Sequence, residues 1–374
     1  MIQKDNFFKI VDEGFVYLAE ENSDHLFACG PRCVVTSSGE IICSFMVQSG
    51  LGINDFKPVT VRSKNGSEWG KPYFLWKEKL EKYSIFGSIS IGPDGKIFFF
   101  GTRTMIEKKG ESFWCEKTQG LKQNEIVYAF STDDAYTWSD LFTIPMPVPG
   151  SAEAPGPMCI TKNGSWHACY SPYNTFDPDV VVEKNQVLLL TSRDCGKTWS
   201  YTSMLKFREN YAGAAEAWVI ELTDGRLLGT CWKLNLRDGT DFPNAYAISY
   251  DDGRTWTPAL STGIMGQSTA LCKLDNGRAL FIYNQRKIQP YGVRIAVVNP
   301  SENDFGVEGN QIVYFAEKYS TENLATSHSD WTQFNFGEPS AVVLPDKSIL
   351  VVLWCIENKH SGIRYIRLKS DYLI

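Results

Sequence analysis

The chain has 374 residues, a formal net charge of −6 and a pI near 5.4. That length allows one large core or two ordinary domains, and the acidic balance excludes the basic footprint of a nucleic-acid-binding protein. Most of the ten cysteines sit in apolar runs such as Ile41-Ile-Cys-Ser-Phe45 and Leu353-Trp-Cys-Ile356, where they read as small buried hydrophobes and not as a disulfide framework. With no Cys-x-x-Cys pair and only four His, no metal site or cofactor is expected. The N-terminus shows no apolar run of signal-peptide length and the chain no stretch long enough to cross a membrane, so a cytoplasmic protein without membrane contact is expected, with a secreted protein trimmed of its leader as the alternative.

Taken in order, the chain repeats itself. An apolar run, a tight turn and a β-rich run recur around Gly39, Gly95, Gly164, Gly225, Gly277 and Lys347. Asn-Gly and Asp-Gly turns between such runs mark β-hairpins. Their recurrence at roughly 50–70 residues, with no helical periodicity between them, predicts a propeller. Six copies predict an all-β fold: a six-bladed β-propeller of four-stranded antiparallel sheets, forming one domain over 1–374. The chain ends one strand short in blade six, and Phe15-Val-Tyr-Leu-Ala19 is expected to supply that strand and close the ring. The Lys/Glu-rich segments 77–82 and 107–123 read as solvated insertions on blades one and two.

A second repeat lies between the third and fourth strands. Ser, Asp, Gly, Thr and Trp share one spacing in Ser249-Tyr-Asp-Asp-Gly-Arg-Thr-Trp256 and in Ser192-Arg-Asp-Cys-Gly-Lys-Thr-Trp199. The spacing returns in Ser131-Thr-Asp-Asp-Ala-Tyr-Thr-Trp138, with Ala135 in the Gly position, and in shortened form in Ser63-Lys-Asn-Gly-Ser-Glu-Trp69. Blade five keeps only a decayed version, Asn299–Gly306. Asp accepts backbone N–H groups in such a turn, Gly permits positive φ, and Trp covers the turn from the core. The role expected of these segments is structural.

The starts of the first strands and the ends of the second strands should meet at one mouth of the central channel. The starts carry Arg32, Glu153, Glu216 and Glu338. The ends carry Arg103, Tyr170, Trp232, Lys233, Asn284 and Arg286, with Asp55 in a nearby loop. Glu216 and Glu338 each stand six residues before the Leu of their turn. Paired carboxylates permit glycoside chemistry, one protonating the leaving oxygen and the other attacking or activating water. Basic groups suit an anionic or polar glycan, and aromatic faces suit a sugar ring. His167 lies mid-strand and reads as a satisfied core histidine.

The Ser-x-Asp-x-Gly-x-Thr-Trp segments resemble the Asp box of the sialidase (BNR-repeat) superfamily. The resemblance implies a substrate carboxylate held by three arginines, a Tyr nucleophile paired with Glu, and an Asp acid/base. Glu216 resembles the helper Glu, and Asp55 falls in the loop of the Asp acid/base. The chain departs from the pattern elsewhere. Arg32 lies about three residues past the first Arg, Trp232 occupies the second, Arg286 lies near the third, and Glu338 stands where the Tyr belongs. Exo-arabinanases of the superfamily use two glutamates, so the resemblance implies a sialidase-like, exo-acting glycoside hydrolase with Glu216, Glu338, Glu153 and Asp55 as catalytic candidates. Two alternatives stand beside it: a carbohydrate-binding propeller without activity, and a polysaccharide lyase with Tyr170 or His167 as base.

Overall fold

Each of the six turns joins the inner two strands of one antiparallel blade, and all six turn residues are left-handed, with φ between 68° and 88°. The first blade runs Phe27–Val35, Ile41–Gln48, Lys57–Ser63 and Tyr73–Phe74 outward from the axis. Blade two follows with Tyr83–Ile91, Ile97–Met105, Asn124–Ser131 and Phe142–Ile144. In blade three the innermost strand is split into Ser151–Glu153 and Cys159–Ile160, and both pieces pair with Trp166–Tyr173. Pro155 and Pro157 lie in the gap, where their missing N–H groups cannot serve the ladder. Blades four and five begin with Ala212–Glu221 and Gln267–Lys273. The computed structural model describes residues 7–20, 23–319 and 328–370.

Blade six consists of Phe336–Val343, Ile349–Glu357, His360–Lys369 and, outermost, Lys9–Leu18 from the start of the chain. Phe15 pairs with Arg364 and Leu18 with Gly362, so the closing strand is longer than the five residues expected. Inner strands of neighbouring blades touch, including those of blades six and one, while blade two meets blade three through Asn124–Ser131 and Ser151–Glu153. The core lies between blades as stacked apolar layers, for example Phe98, Tyr128, Tyr170 and Leu188 between blades two and three.

The three full boxes share one hydrogen-bond pattern. In blade four Ser249 Oγ donates to Asp251 Oδ1 (2.9 Å) and accepts from Gly253 N (2.9 Å). Asp251 also takes the backbone N–H and hydroxyl of Thr255 at 2.8 and 2.7 Å. The boxes of blades two and three repeat this network around Asp133 and Asp194. The Thr hydroxyls and N–H groups hold both carboxyls down at a pKa of about 2. The boxes also bolt blades together. Asp252 of blade four binds Ser165 Oγ (2.7 Å) and His167 Nε2 (3.0 Å) of blade three. Trp138 packs edge-on against Trp76, 5.8 Å between centroids, in the layer between blades one and two. That layer explains segment 77–82. Its charged residues include a short 3₁₀ turn, Lys77–Lys79, but the flanking Trp76 and Leu80 are buried.

Room for a side chain differs sharply among the left-handed positions. A Cβ on Gly253 would lie 2.8 Å from Leu189 Cδ2 and 3.2 Å from His167 Cε1, whereas one on Gly164 would meet nothing within 4 Å. Gly253→Ala should therefore destabilise the protein by roughly 2–4 kcal/mol. Gly164→Ala should cost only the backbone term, about 1 kcal/mol. Urea unfolding of the two variants checks the difference; equal losses would contradict the packing role assigned to the box.

Candidate active site

Four of the inner strands carry the same irregularity near the channel mouth. The register slips between Cys29 and Arg32, Ala215 and Trp218, Gln267 and Thr269, and Gly337 and Ser340. At each slip one residue is left-handed: Gly30, Glu216, Ser268 and Glu338. A β-bulge of this kind bends its strand and re-aims a side chain. Non-glycine residues in this conformation cost on the order of 1–2 kcal/mol each, so Glu216 and Glu338 need support from their surroundings.

That support is visible. The Glu216 N–H donates to both carboxylate oxygens of Glu153, at 3.1 and 3.2 Å. Glu338 Oε2 accepts the N–H of Gly30 (2.8 Å), the left-handed residue of the next blade. The Glu338 carbonyl accepts from Arg32 Nη1 at 3.0 Å. Three carboxyls from blades three, four and six thus converge on one cavity of about 620 Å³, which all three line.

Crowding and burial raise all three acids. Burial, opposed by the Glu216 N–H and reinforced by the Glu338 charge, pushes Glu153 up to about 8. Glu216 is driven well above the usual carboxylate range by burial and then by Glu338 and Glu153, and its Oε2 is buried without a hydrogen-bond partner. Glu338 is also raised by burial, but Arg32, the Gly30 N–H, Arg286 and the Trp354 side chain all favour its anion. Like charges sharing a site cannot all ionise, and the surroundings single out Glu338 as the one to carry the charge.

The two arginines act on this cluster from different places. Arg286 is 2% exposed, lines the cavity, and donates to Gln267 Oε1 (3.3 Å) and to the Phe336 carbonyl. Arg32 is also 2% exposed but lies behind the floor, donating to the carbonyls of Pro31, Pro155 and Glu338 and resting on Trp218. It supports Glu338 electrostatically and structurally but does not face the cavity, contrary to the substrate-contact role expected for it. Among the described residues no group of three or more His, Cys, Asp and Glu is placed to hold a metal ion.

Trp232 lines the cavity as expected, but five further candidates face away from it. For Arg103 and Lys233 the reason is strand alternation. Asn54 and Phe56 line the cavity, while Asp55 between them turns aside and accepts the Ser49 N–H at 3.2 Å. Thr102 and Thr104 face in, and Arg103 pairs instead with Glu125 (2.6 Å). Trp232 and Leu234 face in, and Lys233 pairs with Glu209 (2.8 Å). Tyr170 is buried in the layer between blades two and three, and Asn284 is fully buried below the cavity. His167 is a core histidine, fully buried between Thr191 and Asp252. Neither residue named as a lyase base reaches the cavity, which removes the basis of that alternative.

Segment 107–123 is a wall of the cavity and not merely a solvated insertion. Phe113 and Trp114 fold over the mouth, and Glu116, Lys117 and Lys122 line the cavity beside them. Phe113 packs on Phe56 (5.3 Å) and stacks on Trp331 (5.3 Å), and Trp114 meets Tyr173 edge-on at 6.3 Å. The segment is tied to blade one by Asn54 N to the Glu111 carbonyl (2.8 Å). Its far end is tied to blade three by Leu121 N to the Asn174 carbonyl (2.9 Å) and Asn174 Nδ2 to the Thr118 carbonyl (2.6 Å). The Phe113-Trp114 pair inside a charged stretch was the available sequence signal.

The raised carboxyl of Glu153 makes stability depend on pH. Its folded pKa, about 8, exceeds the ordinary 4.5, so the folded state holds the extra proton between these values. The stabilisation is complete below about pH 4.5 and is lost as pH rises through about 8. The thermal midpoint should fall between pH 5 and 8.5, and Glu153→Gln should flatten that fall. A variant with the wild-type slope would contradict the assignment.

Comparison with known proteins agrees with this architecture. A family model described as a BNR repeat-like domain matches residues 59–304. A sialidase from Bacteroides fragilis is 24% identical over an alignment of 250 residues that covers 61% of this chain but only 42% of that protein's length. A protein of unknown function from Dyadobacter fermentans superposes with a TM-score of 0.75 at 20% identity, covering 98% of this chain and all of its own. The NanB sialidase of Streptococcus pneumoniae gives a TM-score of 0.64 at 15% identity, over 99% of this chain and 71% of that one. The α-L-arabinofuranosidase Arb93A of Fusarium graminearum gives 0.63 at 14%, over 98% and 99%. With about two thirds of its length matched by the family model, the chain belongs to the BNR repeat-like family, and it shares the propeller fold of the sialidase structures.

Proposed function

We propose that this protein is a glycoside hydrolase that removes a terminal sugar from a polar or anionic glycan, using Glu216 as the acid and Glu338 as the anionic partner. The observation that carries the reading is the convergence of Glu153, Glu216 and Glu338 on one cavity, where burial and its two acidic neighbours raise Glu216 while Arg32, Arg286 and the Gly30 N–H favour the Glu338 anion. A general acid must be protonated near neutral pH while its partner is charged. Glu216 would deliver its proton to the glycosidic oxygen as the bond to the anomeric carbon breaks. The Glu338 carboxylate would meet the positive charge developing at that carbon, as nucleophile or as base toward water. Glu153 would act as a positioning residue, holding the strained Glu216 backbone and keeping the local charge low. Trp232 and Arg286 would contact the sugar.

Attack at a chain end follows from the wall. Segment 107–123 is tied to blades one and three, so it closes that side of the mouth to a polysaccharide lying across it. The glycosidases among the structural relatives support the reaction class. The absence of Tyr at the Glu338 position argues against ordinary sialidase chemistry.

Turnover of a panel of 4-nitrophenyl glycosides, including the α-L-arabinofuranoside and the N-acetylneuraminide, tests the assignment. Glu216→Gln should lower kcat by roughly 10²–10⁴ for poor leaving groups and much less for activated ones. Azide should restore activity to Glu338→Ala but not to Glu153→Ala. Wild-type protein that binds glycans yet turns over none of them would mean a binding propeller, and azide rescue of Glu153→Ala would move the charged role to that residue.

A further inference from the structure

Most basic residues around the mouth are spent on partners; of the two cavity-lining lysines that are not, Lys117 is exposed and Lys184 is half-buried. Lys122 pairs with Glu111 (2.6 Å), Lys206 with Glu183 (2.6 Å), Lys233 with Glu209 (2.8 Å) and Lys287 with Asp241 (2.9 Å). Arg32 and Arg286 spend donors on backbone carbonyls. Lys184 is half-buried, lines the cavity, and has no carboxylate or other acceptor within bonding distance among the described residues. Burial lowers its pKa, as expected of a cation that has given up water without gaining an anion.

Its position along the blade can be read from the register. Glu153 pairs with Ser171, and Ser151 pairs with Tyr173 farther out. Val182, two residues before Lys184, lies against Gly150 beside the Tyr173 carbonyl, so the segment carrying Lys184 runs past Tyr173. Asn174 is three residues beyond Ser171, about 10 Å along the strand. At this outer level Trp114 stands over Tyr173, and Trp114, Tyr173, Asn174 and Lys184 all line the cavity. A sugar seated on the carboxyl cluster would leave this level to the next unit of the glycan.

We propose that Trp114 and Lys184 form a second sugar subsite, one unit outward of the carboxyl cluster, which takes a glycan unit bearing a carboxylate or sulfate. Trp114 supplies an apolar face for the ring, and Lys184 supplies the charge that meets the anion. The proposal rests on the reading of the inner site as the seat of the terminal sugar, but it concerns binding and not hydrolysis.

Titration calorimetry of the wild type and of the Glu216→Gln variant at low salt tests it. The probes are disaccharides carrying a glucuronate, the same units carrying a 6-O-sulfate, and their neutral parents. At least one acidic probe should bind tenfold or more tightly than its neutral parent, and the two acidic sets distinguish carboxylate from sulfate. Lys184→Met should remove that preference, Lys184→Arg should keep it, and Trp114→Ala should weaken acidic and neutral probes alike. Thermal unfolding of Lys184→Met confirms that the variant is folded. Equal binding of acidic and neutral probes, no binding of any probe, or a preference that survives Lys184→Met overturns the subsite. Glycan hydrolysis without Lys184-dependent binding overturns the subsite alone; such binding without hydrolysis overturns the reaction and keeps the subsite.

Discussion

The bifurcated hydrogen bond from the Glu216 N–H to the Glu153 carboxylate is the interaction on which the site depends. It joins blades three and four at the floor of the cavity and holds Glu216 in a left-handed bulge that an ordinary strand residue would leave. The bond from Gly30 N to Glu338 does the same between blades one and six. In both cases a side chain from one blade holds or is held by the bulged backbone of another. The acids are therefore brought together by backbone irregularities that only a closed ring can sustain.

The ring supplies the rigidity this requires. Asp252 ties the box of blade four to Ser165 and His167 of blade three, and Arg62 of blade one donates to the Asp134 carbonyl in the box of blade two. The outer boxes stop the blades from sliding, and the inner bulges exploit that fixity. Burying three carboxyls together would be prohibitive if all were ionised. Partial protonation, with Arg32 and Arg286 beside the charged member, makes the cluster tolerable and gives its members different chemical roles.

How much of this was legible in the sequence follows from the physics of each signal. Turn chemistry is local, so the six turns, the boxes and the blade count could be read directly. The closing strand followed from counting, and the pairing of Lys9–Leu18 with His360–Lys369 accounts for the missing place. The meeting of Glu216 and Glu338 followed from their equivalent places in the repeat, and Glu153 was expected near them from its place at the start of the first strand of blade three. The phase of individual strands did not follow. Side chains alternate across a strand, so a one-residue error turns a cavity residue into a core or surface residue. That is why Arg103 and Lys233 were expected in the cavity while their neighbours Thr102 and Trp232 line it. The bulges compound the difficulty, since they shift the phase within a strand without any marker in the residue types. The wall formed by Phe113, Trp114 and Trp331 was hidden for another reason: its contacts join segments far apart in the chain.

The central claim is that the three carboxyls over the hub share fewer than three negative charges at neutral pH. Carboxyl ¹³C NMR of glutamate-labelled protein, titrated from pH 4 to 9 with Glu153→Gln, Glu216→Gln and Glu338→Gln for assignment, measures this directly. The account predicts that the Glu153 and Glu216 resonances remain those of protonated acids at pH 6.5, with Glu338 the first of the three to ionise. Full ionisation of all three below pH 5.5 would contradict it.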